Sequence, residues 1–199
     1  MKRSDFANVL EETLTKLRIG PDVPAVICGM AGAAQGWCEA PYLSVPTQLD
    51  ELGNGAVKVR GSLRDVRILP GVKQRSPANV MRGEETQIAG FLCQQPEFEG
   101  TVCLPGTHTK WVHVSDATIQ DFETCMTGEQ FAMFSERSVL SHSMILDGWS
   151  TPSFDEAVKT AAEDPASVSR RFFSIRANML IADQTSAEAR ATLSGLLIG

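Results

Sequence analysis

The sequence has no long apolar run, no cluster of basic residues and no closely spaced pair of cysteines. A membrane-spanning helix needs about 20 consecutive apolar residues, and no stretch of this sequence approaches that length, so we expect no membrane partner. Lys and Arg together number 18 against 24 Asp and Glu, which gives a net charge of −6. This balance argues against a nucleic-acid partner, because binding to a phosphate backbone requires a basic surface.

The cysteines are odd in number and widely separated, and none belongs to a CxxC pair. They are Cys28, Cys38, Cys93, Cys103 and Cys125. No histidine stands at zinc-finger spacing, so the sequence predicts neither a disulfide framework nor a metal site built by protein ligands. The first 17 residues also lack the long apolar core of a secretory signal. We therefore expect reduced thiols and a cytoplasmic location.

The order of elements in the first part of the chain indicates an α/β fold. Apolar residues at helical spacing between Phe6 and Leu17 predict a helix that ends before Gly20. The apolar run at residues 24–30 predicts a short buried strand. Since ligands of α/β proteins often bind beyond the carboxyl end of such a strand, the residues that follow it are candidates for a site.

Those residues, 29–37, form the glycine-rich segment GMAGAAQGW. Glycine allows the backbone to approach another group closely. The spacing matches neither GxGxxG nor the phosphate loop GxxxxGK[ST], so it predicts no nucleotide motif. Two interpretations remain open: a tight connection between elements, or a loop that faces a ligand.

A second candidate lies at the start of the helix that a stripe of Ile88, Phe91 and Leu92 predicts. Glu84 and Glu85 fall in its first turn, where the helix dipole favours carboxylates. That electrostatic role is sufficient to explain both residues. The functional alternative is that one of them projects into a cleft as a general base.

A third candidate lies in the stretch Thr101–Glu129, whose pattern predicts a strand, a turn, a strand, a turn and a third strand. The first turn contains a glycine, two threonines, a histidine and a lysine: Gly106, Thr107, His108, Thr109 and Lys110. Backbone N–H groups, hydroxyls and a cation together suit a phosphate. The alternative is an ordinary hairpin with a solvated tip.

The last third of the sequence is predicted to be helical. Capping-box patterns begin at Thr127, Ser153 and Thr185, each with Glu or Gln three residues later. The pattern changes from alternating elements to a β-meander near residue 100. We place a domain boundary there, between a first domain of residues 1–100 and a second of residues 101–199.

Five segments in order carry a resemblance to a known family: GMAGAAQGW, APYLSVP, NVMRGEETQ, LPGTHTKWV and MTGE. They resemble the 2-dehydro-3-deoxygalactonokinase family, sugar-acid kinases of the actin-like ATPase superfamily. The resemblance covers most of residues 25–199. It implies a two-domain, ribonuclease H-like fold in which each domain is a mixed five-stranded sheet flanked by helices. The implied reaction transfers the γ-phosphoryl group of ATP, with Mg²⁺, to the 6-hydroxyl of 2-dehydro-3-deoxy-D-galactonate.

The resemblance also implies roles for residues in the matching segments. Glu84 would be the base that accepts the proton of the attacking hydroxyl, with Glu85 as the alternative. The phosphate groups would be bound by the turn residues Gly106, Thr107, Thr109 and Lys110. The sugar-acid pocket would include Gly29, Met30, Gly32 and Trp37, with Arg82 as a partner for the substrate carboxylate.

The sequence departs from the family pattern at two places. The DxGxT motif of the first phosphate-binding hairpin does not occur in it, and it stops at Gly199, before the family's adenosine-binding segment. We therefore expect a chain truncated at both ends, with an incomplete fold and weak or absent kinase activity.

Two other functions stay open. One is a non-catalytic fragment that binds the sugar acid. The other is a hydrolase that uses Cys103 or Ser141 with one of the three histidines, His108, His113 and His142, although no GxSxG nucleophile elbow is present.

Overall fold

The computed structural model describes residues 5–144 and 148–199. In these ranges, strands are interspersed with helices as far as Cys125, and only helical elements follow. The mixed α/β class and the helical C-terminal third are therefore confirmed. Within the same ranges, none of the helices combines the length and the hydropathy that a membrane crossing requires.

The described residues form seven α-helices, ten strands and three short 3₁₀ helices. The α-helices are α1 Asp5–Lys16, α2 Glu51–Asn54, α3 Glu84–Gln94, α4 Thr127–Arg137, α5 Thr151–Glu163, α6 Val168–Ile181 and α7 Ser186–Ile198. The strands are β1 Ala25–Ile27, β2 Tyr42–Ser44, β3 Thr47–Gln48, β4 Val57–Lys58, β5 Val66–Ile68, β6 Gly71–Arg75, β7 Ala78–Met81, β8 Gly100–Leu104, β9 Thr109–Ser115 and β10 Thr118–Cys125. The 3₁₀ helices are Gly29–Gly32, Val139–Ser143 and Pro165–Ser167.

The chain divides into two compact units. The first contains the residues up to Leu104 together with Lys110–Thr124, and the second contains Pro105–Thr109 together with Cys125–Gly199. The strands β8, β9 and β10 thus lie almost entirely in the first unit, whereas the turn between β8 and β9 belongs to the second. The domain boundary near residue 100 stays a prediction for the whole protein.

Three small sheets make up the first unit. Their strand orders are β1-β5-β4, β2-β6-β7 and β3-β10-β9-β8. The first two sheets each combine one parallel and one antiparallel pair, β1 with β5 and β2 with β6 being parallel. The mixed character that the resemblance implies is present, in sheets of three and four strands within the described residues.

The main core of the first unit lies where α3 meets the strands. Side chains alternate along β9, because successive residues of a strand point to opposite faces: Val112 and Val114 are fully buried, and Trp111 is 44% exposed. The two valines share a cluster with Ile88 and Leu92 of α3. Full burial of such a side chain contributes about 1.5–3 kcal/mol, so this cluster fixes α3 against β9.

The helix α1 is attached to the first unit by one buried arginine. None of its residues is fully buried. The Arg64 side chain is 4% exposed and donates to both carboxylate oxygens of Glu11, at 2.9 and 3.0 Å. It also donates to the carbonyl oxygens of Gly20, at 2.7 Å, and Val23. Arg64 therefore joins α1, and the turn after it, to the loop before β5.

The second unit is a group of helices packed through small residues. Gly195 of α7 lies so close to α5 that an added Cβ would be 2.5 Å from the Phe154 carbonyl oxygen and 2.7 Å from the Ala157 Cβ. The buried cluster consists of Leu140, Met144, Ala157, Ala161, Ile175, Ala189, Leu193 and Leu196. Its many alanines allow α5 and α7 to approach closely.

One of the three predicted capping boxes is confirmed. Thr185 and Glu188 cap α7 reciprocally. The prediction at Thr127 is wrong, because α4 begins at that residue and Met126, at the N-cap, makes no side-chain cap bond. The prediction at Ser153 is also wrong: Ser150 caps α5, and its hydroxyl accepts a hydrogen bond from the Ser153 N–H.

Candidate functional site

A sharp turn connects β7 to α3 and places both glutamates at the first helical positions. Gly83 precedes the helix with a φ of 114°, a backbone conformation that residues other than glycine rarely adopt. A Cβ on Gly83 would lie 3.3 Å from the Gly29 Cα. The turn therefore brings the start of α3 against the glycine-rich segment.

Glu85 faces the interior of the first unit. It is 0% exposed, and both of its carboxylate oxygens lie 2.8 Å from the Gly83 backbone nitrogen, which donates to them. The Thr86 hydroxyl donates to the same carboxylate at 3.2 Å. Burial raises the pKa of Glu85, while these hydrogen bonds oppose the increase. Glu85 thus caps its own helix and has no open side toward a substrate.

Glu84 differs from its neighbour in exposure and in hydrogen bonding. Its side chain is half-buried, and Oε2 accepts one hydrogen bond from the Arg82 backbone N–H at 3.0 Å. Among the described residues, no group donates to Oε1. Glu84 therefore keeps one carboxylate oxygen that can accept a proton from a ligand.

Arg82 links the turn to the glycine-rich segment. Its guanidinium lies 4.1 Å above the Tyr42 ring, and Nη2 donates to the Ala40 carbonyl at 2.9 Å. Nη1 is buried without an acceptor in the described part of the chain. A Cβ on Gly32 would lie only 2.8 Å from this nitrogen, so the guanidinium occupies the space that the absent side chain leaves.

The glycine-rich segment begins with a 3₁₀ helix at Gly29–Gly32. Gly29 has a φ of 83°, and Met30 is 70% exposed. The Trp37 ring is half-buried and stacks on Phe6 of α1, with centroids 6.0 Å apart. The structure thus brings Gly29 and Gly32 next to the α3 turn, whereas Trp37 packs toward α1. The segment is a tight connection and also borders the half-exposed Glu84, so both interpretations remain open.

The turn between β8 and β9 has an exposed tip at Gly106, Thr107 and His108. The carbonyl oxygens of Gly106 and Thr107 accept hydrogen bonds from the backbone N–H groups of Gly128, at 3.2 Å, and Glu129, at 3.1 Å. A Cβ on Gly128 would lie 2.8 Å from the Gly106 oxygen. The tip is therefore fixed to the start of α4 through the backbone.

The donors of the same tip remain available. In the described chain, the N–H groups of Thr107 and His108 have no acceptor. The Thr109 hydroxyl accepts from the Gly106 N–H at 3.4 Å, and Thr109 is only 7% exposed. His108 pairs through Nε2 with the Glu129 carboxylate. Two adjacent N–H groups and the Thr107 hydroxyl thus form a small set of donors that suits a phosphate oxygen.

Lys110 does not share the exposure of the tip. It is 4% exposed, and its Nζ donates to the Thr124 hydroxyl of β10 at 3.0 Å. Burial lowers the pKa of Lys110, and the negative charge of Glu84 opposes that decrease. Lys110 therefore belongs with the start of α3 in the first unit.

The sequence interpretation did not identify three polar residues next to these groups. Asn79 accepts from the Thr124 hydroxyl at 2.7 Å, and Tyr42 lies under Arg82. Glu129 pairs with His108. The alternation of side chains along β9 is sufficient to place Lys110 on the same face as Val112. Its partner on β10, Thr124, could not be predicted, because neither segment contains a local signal for how the two strands pair.

The hydrolase alternative finds no support in the described residues. His108 and His113 each pair with a carboxylate, that of Glu129 and that of Asp121. Neither histidine contacts a hydroxyl or a thiol, and Cys103 lies opposite Trp111 in the β8–β9 ladder. Within the described residues, none of the three histidines, His142 included, has a hydrogen bond to a hydroxyl or a thiol.

The described residues hold no group of three or more His, Cys, Asp or Glu side chains that could bind a metal ion. Mg²⁺ usually keeps several waters and binds through one or two carboxylates and the substrate phosphates.

Comparisons with known proteins agree on one family. A family model described as 2-keto-3-deoxy-galactonokinase matches residues 1–199. The chain is 41% identical over 202 residues to "Probable 2-dehydro-3-deoxygalactonokinase DgoK1" of Rhizobium meliloti (strain 1021), covering 99% of this chain and 66% of the relative. It is 34% identical over 195 residues to the 2-dehydro-3-deoxygalactonokinase of Escherichia coli (strain K12), covering 97% of this chain and 64% of the relative.

A solved structure gives the same result. The solved structure described as "Crystal structure of a putative 2-dehydro-3-deoxygalactonokinase protein from Sinorhizobium meliloti" matches with a TM-score of 0.93 at 40% identity, over 97% of this chain and 66% of that one. The chain thus spans slightly less than two thirds of the length of these relatives. The family match along all 199 residues and the two relatives at 41% and 34% identity show that this chain belongs to the 2-keto-3-deoxy-galactonokinase family.

Proposed function

We propose that this chain carries the base and part of the phosphate site of a kinase that transfers the γ-phosphoryl group of ATP to the 6-hydroxyl of 2-dehydro-3-deoxy-D-galactonate. The observation that supports this most directly is Glu84, a half-buried carboxylate with one oxygen unpaired within the described residues. It lies at a helix start that borders the glycine-rich segment. The names of the relatives supply the substrate class.

The base in this proposal is Glu84 rather than Glu85. A general base must come within hydrogen-bond distance of the hydroxyl whose proton it accepts. Glu85 is fully buried, and both of its oxygens are bound to the Gly83 N–H. Since Glu84 retains an open oxygen, it can take the proton as the hydroxyl attacks phosphorus.

The hairpin tip supplies donors for ATP. The N–H groups of Thr107 and His108 and the Thr107 hydroxyl lie on exposed residues. A Cβ on Gly106 would meet nothing within 4 Å, so the space beside these donors is open. Thr109 supports the shape of the tip, and Lys110 is the cation that follows it in the sequence. Phosphoryl transfer depends mainly on such positioning and charge compensation. ATP would bring Mg²⁺ with its own phosphates.

The sugar-acid pocket lies along the glycine-rich segment in this proposal. Gly29 and Gly32 let the segment approach the α3 turn closely, Met30 and Trp37 are the proposed apolar walls, and Arg82 is the cation held against Gly32. The guanidinium of arginine suits a carboxylate because it can donate two parallel hydrogen bonds. The buried Nη1 without an acceptor is the donor that a substrate carboxylate would satisfy if Gly32 moved aside.

The fold and setting complete the proposal. We infer the two-domain, actin-like ATPase architecture with its ribonuclease H-like sheets, divided near residue 100, for the whole protein. The five cysteines are free, which suits a reducing cytoplasm.

A coupled ATPase assay with 2-dehydro-3-deoxygalactonate tests this function, with the Rhizobium meliloti protein assayed alongside. We expect ADP release that requires the sugar acid. Calorimetry with the sugar acid, and separately with Mg-ATP, distinguishes the alternatives. Binding of the sugar acid with no ATP binding and no turnover would identify the chain as a non-catalytic binding fragment.

A further inference from the structure

Lys110 is the charged residue whose burial is least explained by its partners. Among the described residues, three charged side chains are buried: Arg64, Glu85 and Lys110. Arg64 has the Glu11 carboxylate, and Glu85 has the Gly83 N–H. Lys110 has a single neutral partner and no ion pair in the described chain. Burying a cation without a counterion is costly, so its position needs a reason.

The strand places Lys110 on the face that packs against α3. Lys110 is opposite Leu104 in the β8–β9 ladder, and it lies two residues before Val112, on the same side of β9. Val112 shares its core cluster with Ile88 of α3. Lys110 stands at the end of this buried row, and Glu84 is the first residue of α3.

A directed chain of hydrogen bonds holds the ammonium in place. An ammonium can only donate, so the Thr124 hydroxyl accepts from Lys110 Nζ at 3.0 Å and donates onward to Asn79 Oδ1 at 2.7 Å. The Val80 N–H donates to the same Asn79 oxygen at 3.0 Å. The chain joins β9, β10 and β7, the strand that leads into the α3 turn. It leaves two of the three ammonium donors without a partner in the described residues.

One carboxylate acts on this ammonium. Glu84 supplies the negative charge that counters the effect of burial on the pKa of Lys110. Glu85 is the other carboxylate at the start of α3, but its oxygens are bound to the Gly83 N–H. The partners on β10 and β7, Thr124 and Asn79, are neutral. Burial and strand position thus associate Lys110 with the start of α3 rather than with the exposed hairpin tip, and Glu84 is the carboxylate there that favours its charged form.

We propose that Lys110 is a positioning residue for Glu84: the Asn79–Thr124–Lys110 chain fixes one positive charge at the start of α3, where it orients the Glu84 carboxylate. This inference rests on the proposed role of Glu84 as the base. It assigns to Lys110 a role in the placement of the base, in addition to the general charge compensation of phosphate. The step itself is a proton transfer from the sugar hydroxyl to Glu84 Oε1.

The direct test is the titration of the Lys110 ammonium by NMR in the ¹⁵N-labelled full chain, with its signal assigned by loss in Lys110→Arg. In Glu84→Gln, we expect Lys110 to lose its proton at lower pH than in the wild type, because the carboxylate that favours the charged form is gone. Glu123→Gln is the matched control, since it removes an exposed carboxylate from β10 and should leave the titration unchanged. Equal titration of Lys110 in the wild type and Glu84→Gln would overturn the proposal.

A kinetic arm separates this proposal from the function it rests on. If the wild type phosphorylates the sugar acid, Lys110→Met should lower kcat by about 10²-fold, as a misplaced catalytic group does, with the KM for ATP unchanged and partial rescue by Lys110→Arg. A raised KM for ATP with unchanged kcat would instead make Lys110 a phosphate ligand and refute the positioning role. If the wild type shows no turnover, the proposed activity of this chain fails, while the NMR titration still decides whether Lys110 and Glu84 are coupled.

Discussion

The start of α3 and the hairpin tip at Pro105–Thr109 are built in opposite ways. At the start of α3, Glu85 is fully buried, Arg82 is stacked on an aromatic ring, and a Cβ on Gly32 would collide with that guanidinium. At the tip, Gly106 and its two following residues are exposed. A Cβ on Gly106 would meet nothing within 4 Å.

This difference indicates what holds each region in shape. Side-chain packing shapes the start of α3. Because the neighbouring atoms are closely packed, even a small increase in side-chain volume there forces them to move. Backbone hydrogen bonds from Gly128 and Glu129 shape the tip, which leaves the Thr107 side chain and two N–H groups for a ligand. We therefore expect mutations at the first region to change stability as well as function, and mutations at the second to change function alone.

The largest expected effect is on catalysis at the start of α3. Glu84→Gln keeps the shape of the side chain but cannot accept a proton, so phosphoryl transfer to the sugar acid should fall by about 10²–10⁴-fold, the usual contribution of a general base. Single-turnover measurement against the wild-type chain gives the ratio. Glu123→Gln, an exposed change on β10, is the control and should retain the wild-type rate. A Glu84→Gln chain that is equally active would remove Glu84 from the mechanism.

The second effect is on stability and compares the two glycines directly. Gly32→Ala places a Cβ 2.8 Å from Arg82 Nη1 and 3.0 Å from the Ile68 Cγ2, and overpacking of this kind costs about 1–3 kcal/mol of the free energy of unfolding. Urea denaturation measures the loss. Gly106→Ala is the matched change in open space and should alter the free energy of unfolding by no more than about 0.5 kcal/mol. Equal losses in the two variants would contradict the contrast between the regions.

Local patterns in the sequence were sufficient for the elements of both regions. The strand–turn–strand–turn–strand prediction is confirmed by β8, β9 and β10, because alternating apolar residues and turn residues report on the nearest neighbours along the chain. The helical spacing of Ile88, Phe91 and Leu92 likewise predicted the helix that the structure shows as α3. The chemistry of the turn residues and the presence of two acidic residues at the α3 start were visible in the same way.

Contacts between distant segments were not predictable from those patterns. The separation of Lys110 from the exposed tip depends on Thr124 and Asn79, which lie 14 and 31 residues away along the chain. The choice between Glu84 and Glu85 depends on which one the turn at Gly83 directs inward. The cap predicted at Ser153 was wrong because Ser153 and Glu156 fit the capping-box pattern, whereas α5 begins at Thr151 and Ser150 is its N-cap.

The third effect concerns pH and isolates Glu85. Because burial raises the pKa of Glu85 in the folded chain, its protonated form is favoured there. The stabilisation that protonated Glu85 contributes is fully present below the ordinary glutamate pKa of about 4.3. It is lost as pH rises from that value through the raised pKa of the folded chain, because Glu85 releases its proton at lower pH in the unfolded chain. The difference in unfolding free energy between the wild type and Glu85→Gln should therefore decrease with pH in this window. The contributions of the other carboxylates to the unfolding free energy are the same in both chains and cancel. A difference that does not change with pH would therefore show that the pKa of Glu85 is not raised.

The smallest expected effect lies at the tip. His108→Ala removes the pair between His108 and Glu129, whose two side chains are 48% and 39% exposed. Exposed pairs of this kind contribute about 0–1 kcal/mol to the free energy of unfolding. The backbone bonds from Gly128 and Glu129 to the tip carbonyls remain, so the tip should keep its shape and the urea midpoint should move little.

A test of the contrast between the tip and the start of α3 is to measure Mg-ATP affinity by calorimetry in His108→Ala and in Thr107→Val, which removes a hydroxyl donor. Reduced affinity in Thr107→Val with unchanged stability in both variants fits a tip shaped by its backbone; a large loss of stability in His108→Ala would mean that side chains hold this turn as they hold the start of α3.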